Sequence, residues 1–198
     1  MFPSKRSSRA LATMVMSVVA CAGCTRQQSR PSREQTAVLS GPANTMYPMP
    51  PLKSGTLSET GWVSEDNLHS KLADYHGKVL VLDFYATWCL PCRESVPHLT
   101  ELQRRYGSQG LEVVGLNVGG PNDRIKVADF AREFHIKYPL SFPDKSLTDV
   151  LLSDSDAIPQ TFVFDRQGLL VKRLIGYDEP SGKELEQVIE TAIASGSR

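Results

Sequence analysis

The sequence predicts an α/β domain with a central mixed sheet flanked by helices, and three observations support this class. First, the apolar run 79–85 has the length and composition of a buried central strand, and a helical pattern follows it directly. Second, another apolar strand follows at 111–118, so a helix crosses over between two parallel strands. Third, strand patterns at 161–165 and 169–175 flank the turn 166–168, which predicts an antiparallel hairpin.

The first half of the domain is predicted to contain a short helix, a strand, a long helix and a second strand. Ser64 and the two acidic residues after it are typical of a helix start and predict a helix to about residue 75. After the strand 79–85, a helix begins near Cys89 and ends at the glycines within 107–110. Its apolar face is predicted from four residues at helical spacing, namely Val96, Leu99, Leu102 and Tyr106.

The second half is predicted to begin with an inserted helix and strand and to end with the hairpin and a helix. The insertion comprises a helix over 123–135 and a short strand over 138–142, with helical turns at 147–152. The inward face of the inserted helix is predicted to carry Ala128, Ala131 and Phe134. Ser181 and Glu184 form a capping box that starts the last helix. Apolar residues at helical spacing predict its buried face: Leu185, Val188, Ile189, Ala192 and Ile193.

The N-terminal segment has the pattern of an export signal. Three basic residues precede an apolar stretch over 10–20, which is too short to span a bilayer and so favours a signal peptide over a transmembrane anchor. Small residues then lead into Cys21 and Cys24, and both surroundings resemble the cleavage box at which a bacterial lipoprotein is lipidated on its cysteine. We expect lipidation at Cys24 or Cys21; ordinary signal cleavage, with neither cysteine lipidated, is the alternative.

Composition divides the chain into three parts. We expect a lipoprotein-type signal peptide over 1–23, a flexible tether over 24–55 and one domain over 56–198. The tether is rich in Ser, Thr, Gln and Pro and has little apolar periodicity, although packing of 46–52 on the domain is an alternative. This organisation predicts a protein on the periplasmic side of a bacterial membrane, attached by its lipid, in a compartment where disulfides persist.

The charge balance excludes one class of partner. The chain has 22 basic and 22 acidic residues, and removal of everything before Cys21 leaves 19 basic and 22 acidic residues, a formal charge of −3. A mildly acidic chain argues against nucleic acid or an acidic membrane surface as the main partner.

The most informative motif is Cys89-Leu90-Pro91-Cys92, directly after the strand 79–85. A strand that ends in a turn and a helix places both sulfurs at the first helical turn, where free amide groups and the helix dipole favour a thiolate. Positions i and i+3 share a helix face, at a separation that a disulfide can close. A structural disulfide usually closes a longer loop, a zinc site needs four ligands, and haem attachment would need a histidine where Arg93 stands. The motif therefore predicts a redox-active pair, with no metal and no cofactor.

Two segments resemble those of a known family. Residues 83–94 are similar to the active-site segment of thioredoxin-like proteins, and more closely to that of their extracytoplasmic TlpA/ResA branch. Residues 158–165, beginning Ile158-Pro159, resemble the second signature of that family, and the insertion 123–142 also matches. The resemblance covers about 56–194 and implies the thioredoxin fold, a βαβ half and a ββα half with an inserted helix–strand segment between them.

The resemblance implies distinct roles for the two cysteines. Cys89 would be the exposed cysteine, whose thiolate attacks a disulfide in a partner protein and forms a mixed disulfide. Cys92 would be the buried resolving cysteine, which releases the partner and closes the Cys89–Cys92 disulfide. Leu90 and Pro91 between them would set the redox poise, in part because proline lacks an amide donor that could stabilise a thiolate.

The resemblance also implies a supporting group around the cysteines. Pro159 would be a cis-proline beside them, an isomer that costs only about 0.5–1 kcal/mol at an X–Pro bond. Its neighbour Ile158 would keep a free backbone that pairs with a substrate peptide, with little sequence preference. Trp88 would cover the site, and a purely packing role is the alternative.

Asp83 is the only charged residue in the strand 79–85. Burial would raise the pKa of its carboxyl, so that it could accept the proton of Cys92 through a water as a general base; a solvent-facing position at a strand edge is the alternative. Two positions depart from the family pattern. Ser95 stands where some relatives have a glutamate, and Gly115 stands where thioredoxins often have a lysine near the buried acid.

Together these observations predict an extracytoplasmic thiol–disulfide oxidoreductase that acts as a reductant of protein disulfides. Its partners would be proteins with disulfides or thiols, with an apocytochrome c among the candidate clients, and a membrane electron donor beside the lipid anchor. Two alternatives have different chemistry. A thiol peroxidase would need a Pro-x-x-x-Thr/Ser-x-x-Cys pattern, which precedes neither Cys89 nor Cys92. A binding or chaperone module would have a disulfide that is never reduced.

Overall fold

The computed structural model describes residues 57–195, which contain seven strands and five helices within that range. The strands are β1 (Gly61–Ser64), β2 (His69–Lys71), β3 (Val79–Tyr85), β4 (Leu111–Asn117), β5 (Leu140–Pro143), β6 (Gln160–Phe164) and β7 (Leu170–Ile175). The helices are α1 (Leu90–Tyr106), α2 (Pro121–Arg124), α3 (Val127–Glu133), α4 (Lys145–Leu151) and α5 (Glu179–Ser195). Short 3₁₀ turns at Leu72–Tyr75 and Gly107–Gln109 precede β3 and β4.

The strands form one mixed sheet in the order β2-β1-β5-β4-β3-β6-β7. β3 lies near its centre, parallel to β4 and antiparallel to β6, while the β6–β7 hairpin forms one edge and the β1–β2 hairpin the other. The predicted mixed sheet, with a parallel crossover and a C-terminal hairpin, is confirmed. β3 is buried along its whole length, as its apolar sequence predicts.

Alternate residues of β3 enter two separate apolar layers. Val79 and Val81 pack in the layer that contains Leu99 and Leu102 of α1 and the buried face of α5. Leu80, Leu82 and Phe84 point to the opposite layer, which contains Trp62 of β1 and the leucines of α4. Each fully buried side chain of this size stabilises the fold by about 1.5–3 kcal/mol, so both layers fix the end of β3 from which the cysteine motif begins.

The predicted helix over 64–75 is wrong. A hairpin occupies most of this range, with Asn67 at a φ of 59° in the turn and the Ser64 Oγ accepting a hydrogen bond from the Leu68 N–H at 3.2 Å. β1 also pairs with β5, where Val63 lies opposite Phe142. These distant backbone partners outweigh the local helix signal, and only the last part of the range, Leu72–Tyr75, is helical, as a 3₁₀ turn.

Two details of the later helices also differ from expectation. The inserted helix is divided into α2 and α3, and it ends before His135, whose φ of 52° is left-handed. Its inward residues are Val127 and Phe130, whereas Ala128 is exposed and Ala131 and Phe134 are half-buried.

The last helix has a different cap from the predicted one. It begins at Glu179, and Asp178 caps it: the Asp178 carboxylate accepts from the Ser181 N–H at 2.8 Å, and the Ser181 Oγ accepts from the Asp178 N–H at 2.8 Å. Glu184, the predicted partner in the capping box, forms an ion pair with Lys172 of β7. The predicted apolar face of this helix is buried, with Val188 partly covered.

The predicted signal peptide, Cys21, Cys24 and the tether lie outside the described residues. Within 57–195, no helix is long and apolar enough to cross a membrane.

Candidate active site

Cys89 and Cys92 form a disulfide at the N-terminus of α1, with 5.2 Å between their Cα atoms. Cys89 is the N-cap residue of the helix, and its Sγ accepts a hydrogen bond from the Cys92 N–H at 3.3 Å. Pro91 stands in the first turn, where its missing N–H leaves no helical bond unmade. A thiolate released at Cys89 would therefore meet a free amide group and the positive end of a 17-residue helix dipole.

The two cysteines differ little in exposure in this disulfide-bonded state. Cys89 is 4% exposed and Cys92 is fully buried. The expectation of an exposed Cys89 is therefore wrong for this state, although Cys89 is the more exposed of the two cysteines, as expected. Cys92 is covered because its side chain packs in a small cluster with Tyr85, Val96 and Phe130.

The loop before β6 lies against the cysteines, as the resemblance implies. The Ile158–Pro159 peptide bond is cis, and the Ile158 carbonyl oxygen is 3.7 Å from the Cys89 Sγ. Ile158 is half-buried against the cysteine cluster and Pro159 is buried, with its carbonyl oxygen accepting from the Gly176 N–H at 2.8 Å. The backbone of Ile158 and Pro159 therefore lies beside the Cys89–Cys92 disulfide.

Two large apolar side chains border the disulfide on its outer side. Trp88 is 64% exposed and Leu90 is 68% exposed, and each is the immediate neighbour of Cys89. Trp88 and Leu90 thus form an exposed apolar rim next to Cys89, which is itself only 4% exposed.

Asp83 is buried on β3, with 1% of its surface exposed. Burial raises the pKa of its carboxyl to about 7, against the opposing effect of the Thr161 hydroxyl, which donates to Oδ1 at 2.8 Å. Asp83 shares its strand face with Val81 and Tyr85, the face that α1 covers. A strand-edge position in solvent, the alternative for this residue, is excluded.

Aromatic rings occupy the space beside Asp83. The strand register places Gly115 of β4 opposite Asp83. A Cβ at Gly115 would lie 2.6 Å from the Leu140 Cδ2, 3.2 Å from the Tyr85 ring and 3.4 Å from the Tyr138 ring. These side chains fill the position from which a longer side chain could reach the acid. Among residues 57–195, the Thr161 hydroxyl is the group that lowers the pKa of Asp83 and so stabilises its ionised form.

A second buried acid, Asp123 of α2, lies at the same end of the sheet and was not among the predicted site residues. Its exposure is 2%, and its Oδ2 accepts from the Thr87 N–H at 2.9 Å and from the Asn117 Nδ2 at 2.8 Å. Its Oδ1 accepts a short hydrogen bond from the Thr87 hydroxyl. Burial alone would raise the pKa of Asp123, but the hydrogen bonds from Thr87 and Asn117 lower it below its ordinary value. Thr87 and Asn117 lie at the carboxyl ends of the adjacent parallel strands β3 and β4. Two polar residues at neighbouring strand ends are the sequence signal that could have indicated a buried polar partner here.

Arg93, the residue after Cys92, supports the same loop from its other side. Its Nη1 donates to the Thr87 carbonyl oxygen at 3.1 Å, and its guanidinium lies over the Phe134 ring at 4.8 Å and pairs with Glu133. Within 57–195, no cluster of three or more His, Cys, Asp or Glu side chains is arranged to hold a metal ion.

A thioredoxin-type sheet with a cysteine pair at the N-terminus of its central helix defines a thioredoxin-like protein. The family model described as the AhpC/TSA family matches residues 58–173, and the chain belongs to this family.

Individual relatives and solved structures show which members of the family the chain is similar to. The chain is 29% identical over 120 residues to the thiol-disulfide oxidoreductase ResA of Bacillus cereus, covering 61% of this chain and 66% of that protein. It is 35% identical over 105 residues to ResA of Geobacillus kaustophilus, covering 53% and 58%. Among solved structures, a proposed thiol:disulfide interchange protein DsbE from Chlorobium tepidum matches with a TM-score of 0.60 and 28% identity, over 69% of this chain and 94% of that one.

The chain thus spans less than two thirds of the length of these ResA relatives. A second solved structure, a proposed protein disulfide isomerase from Bacteroides thetaiotaomicron, has a TM-score of 0.60 and 26% identity, over 71% and 91%. The predicted similarity to the ResA branch of thioredoxin-like proteins is confirmed.

Proposed function

We propose that this protein is a thiol–disulfide oxidoreductase that reduces disulfides in other proteins through Cys89 and Cys92. The observation that carries the proposal is the disulfide itself: it caps a long helix, has an apolar rim, and lies beside the cis-proline loop. The naming of the ResA and DsbE relatives supports the same activity.

The reduced enzyme would act in two displacement steps. The Cys89 thiolate attacks one sulfur of a client disulfide, which breaks that bond, forms a Cys89–client mixed disulfide and releases the other client sulfur as a thiolate that takes up a proton. The Cys92 thiolate then attacks the Cys89 sulfur, which releases the second client thiol and forms the Cys89–Cys92 bond. Two electrons pass from the enzyme to the client, and a reductant must restore both thiols.

Asp83 is proposed to be the base for the second step. Cys92 is fully buried, so its thiol must lose a proton where no bulk solvent reaches it. Asp83 lies on the strand face covered by α1, and its raised pKa of about 7 suits a group that takes up and returns a proton near neutral pH. A water would carry the proton between them. The Thr161 hydroxyl, 2.8 Å away, fixes the orientation of the carboxylate.

The client is proposed to bind as an extended peptide across the Ile158 backbone, between Trp88 and Leu90. Ile158 is half-buried and precedes a proline, so its backbone is outside the regular ladder of β6. Main-chain pairing at such a site gives affinity with little sequence preference, and the apolar rim adds contact area. This geometry supports action on several clients, and an apocytochrome c is one candidate client within the proposal.

The cellular setting is proposed from the N-terminal sequence. A basic segment, an apolar stretch and the cysteines at 21 and 24 support export and lipid attachment on the periplasmic side of a bacterial membrane. A membrane protein would then supply the electrons. Metabolic labelling with a fatty acid, compared between Cys24→Ala and Cys21→Ala, identifies the modified residue. If a variant with both substitutions is labelled as strongly as the wild-type protein, lipidation at both cysteines is excluded.

Trapping of mixed disulfides tests the proposed activity. Cys92→Ala leaves Cys89 able to attack but unable to be released, so we expect covalent adducts with client proteins that dithiothreitol dissolves. Cys89→Ala is the matched control and should trap far less. If both variants trap equally, the assigned roles are wrong. If the wild-type protein does not accelerate insulin reduction by dithiothreitol, the proposed activity itself is wrong.

A further inference from the structure

The insertion between the two halves of the fold controls the residue that leads into the redox motif. Thr87 lies two positions before Cys89 and is 7% exposed. Its N–H and hydroxyl both donate to Asp123, and its carbonyl oxygen accepts from Arg93. All three polar groups of Thr87 are therefore engaged by two charged side chains, one of which belongs to the insertion.

The second charged side chain is itself braced by the insertion. Arg93 lies over the rings of Phe130 and Phe134 and pairs with Glu133, all from α3 and the residue after it. The loop before Cys89 is thus supported on its amide side by α2 and on its carbonyl side through α3.

Asp123 is built into this position rather than placed at a surface. A third donor, the Asn117 Nδ2, reaches its Oδ2 at 2.8 Å, so the buried carboxylate has three hydrogen bonds. A Cβ at Gly119 would lie only 2.2 Å from Oδ2, which means that glycine alone leaves room for the carboxylate against the end of β4. Three donors to one carboxylate favour its ionised form.

The fixed negative charge of Asp123 affects the equilibrium between the reduced and disulfide forms of Cys89 and Cys92. The N-terminus of α1 favours a negative charge on Cys89, and the Asp123 carboxylate, held by the same loop, opposes it. Reduction of the pair creates that negative charge, whereas the disulfide carries none. The carboxylate therefore disfavours the reduced state relative to the oxidised one, which makes the reduced protein a stronger donor of electrons.

We propose that Asp123 is a positioning residue of the redox site: through Thr87 it fixes the loop that carries Cys89, and its charge shifts the thiol–disulfide equilibrium toward the disulfide form. This inference rests on the proposed function, because it presumes that the Cys89–Cys92 bond is reduced and re-formed.

The test compares the redox equilibria of the wild-type protein and four variants in a glutathione buffer of known composition. For Asp123→Asn, which keeps one acceptor and loses the charge, we expect the equilibrium constant for disulfide formation to fall about tenfold, equivalent to about 30 mV. The alkylation rate of reduced Cys89 should also reach its half-maximum at a lower pH. Asp129→Asn is the matched control: it removes one carboxylate from the same insertion, at an exposed ion pair with Arg132, and should change neither value.

Thr87 provides the independent arm of the test. Thr87→Val removes the hydroxyl that donates to Asp123 and leaves its charge less compensated, so the equilibrium should move in the opposite direction, and Thr87→Ser should restore the wild-type value. If Asp123→Asn does not fold, these two variants decide the question, and a valine variant equal to wild type overturns the inference.

The outcomes separate this inference from the proposed function. A wild-type protein that titrates normally, with an Asp123→Asn equilibrium within twofold of it, overturns the inference and leaves the function standing. An equal shift in Asp129→Asn also overturns it, because net charge would then explain the effect. A wild-type disulfide that no dithiol reduces overturns both.

Discussion

Replacement of Asp83 by asparagine should stabilise the oxidised protein at neutral and alkaline pH. Asp83 is 1% exposed, and burial raises the pKa of its carboxyl from 3.8 to about 7 in the folded protein. In the unfolded chain the carboxyl ionises near its ordinary value, so between about pH 4 and 7 the folded protein binds more protons than the unfolded one. The free energy of unfolding therefore falls as the pH rises through this range. Asparagine removes the titrating group.

The size of the effect follows from the distance between the two pKa values. A rise in pKa from 3.8 to about 7 corresponds to a loss of at most about 4 kcal/mol in the free energy of unfolding once the carboxyl is ionised. Asparagine has nearly the same shape, and its amide oxygen can still accept from the Thr161 hydroxyl. We expect Asp83→Asn to exceed wild type in stability by up to that amount at pH 8, and the difference to shrink toward zero near pH 4.

Urea unfolding of the oxidised protein at several pH values measures this difference. Asp123→Asn provides a control of opposite sign: the pKa of Asp123 is lowered in the folded protein, so its ionised form contributes stability above pH 4 that is lost as the pH falls. That variant should be less stable than wild type at pH 8. Equal pH profiles of Asp83→Asn and wild type would refute the buried, proton-retaining state of Asp83.

Three further outcomes follow from the same structure. Leu102→Ala, at a fully buried site of α1, should cost about 2–5 kcal/mol in urea unfolding, whereas Leu68→Ala, 68% exposed, should change stability by less than about 0.5 kcal/mol; similar losses would contradict the described core. Trp88→Ala should raise the KM for a protein disulfide while the melting temperature stays within about 2 °C of wild type, since the ring is 64% exposed; an unchanged KM would exclude a client contact. Gly119→Ala should lower the melting temperature because its Cβ would overlap the Asp123 carboxylate, and a neutral result would mean that the loop moves freely.

The parts of the fold that the sequence predicted are those with local, periodic signals. β3 is a continuous apolar run, and α1 has a regular stripe that ends at glycines, so both were found within a residue or two. The segment 64–75 shows the opposite case. Its residues look like a helix start, but Trp62 and Val63 pair with β5, about eighty residues away, and no local pattern records that pairing.

The site residues likewise comprise some that lie in local motifs and one whose partners are distant in the sequence. Cys89, Cys92, Pro159 and Asp83 lie in short motifs, and the structure brings the first three together, with Asp83 on the strand face beneath α1. For Asp123 the sequence predicts only the start of a helix, because its partner Thr87 is 36 residues away. A buried carboxylate that depends on distant donors has no sequence period; it becomes visible only when the strand ends that carry its partners are placed side by side.

The chain's two tryptophans provide separate optical reporters. Trp62 is 2% exposed in the layer beneath the sheet, whereas Trp88 is open to water and adjacent in sequence to the disulfide. A disulfide quenches the emission of a nearby indole, so reduction should brighten the red-shifted emission of Trp88 and leave the blue emission of Trp62 unchanged. A Trp88→Phe variant would retain only the folding signal, and a Trp62→Phe variant would follow electron transfer in real time without any added dye.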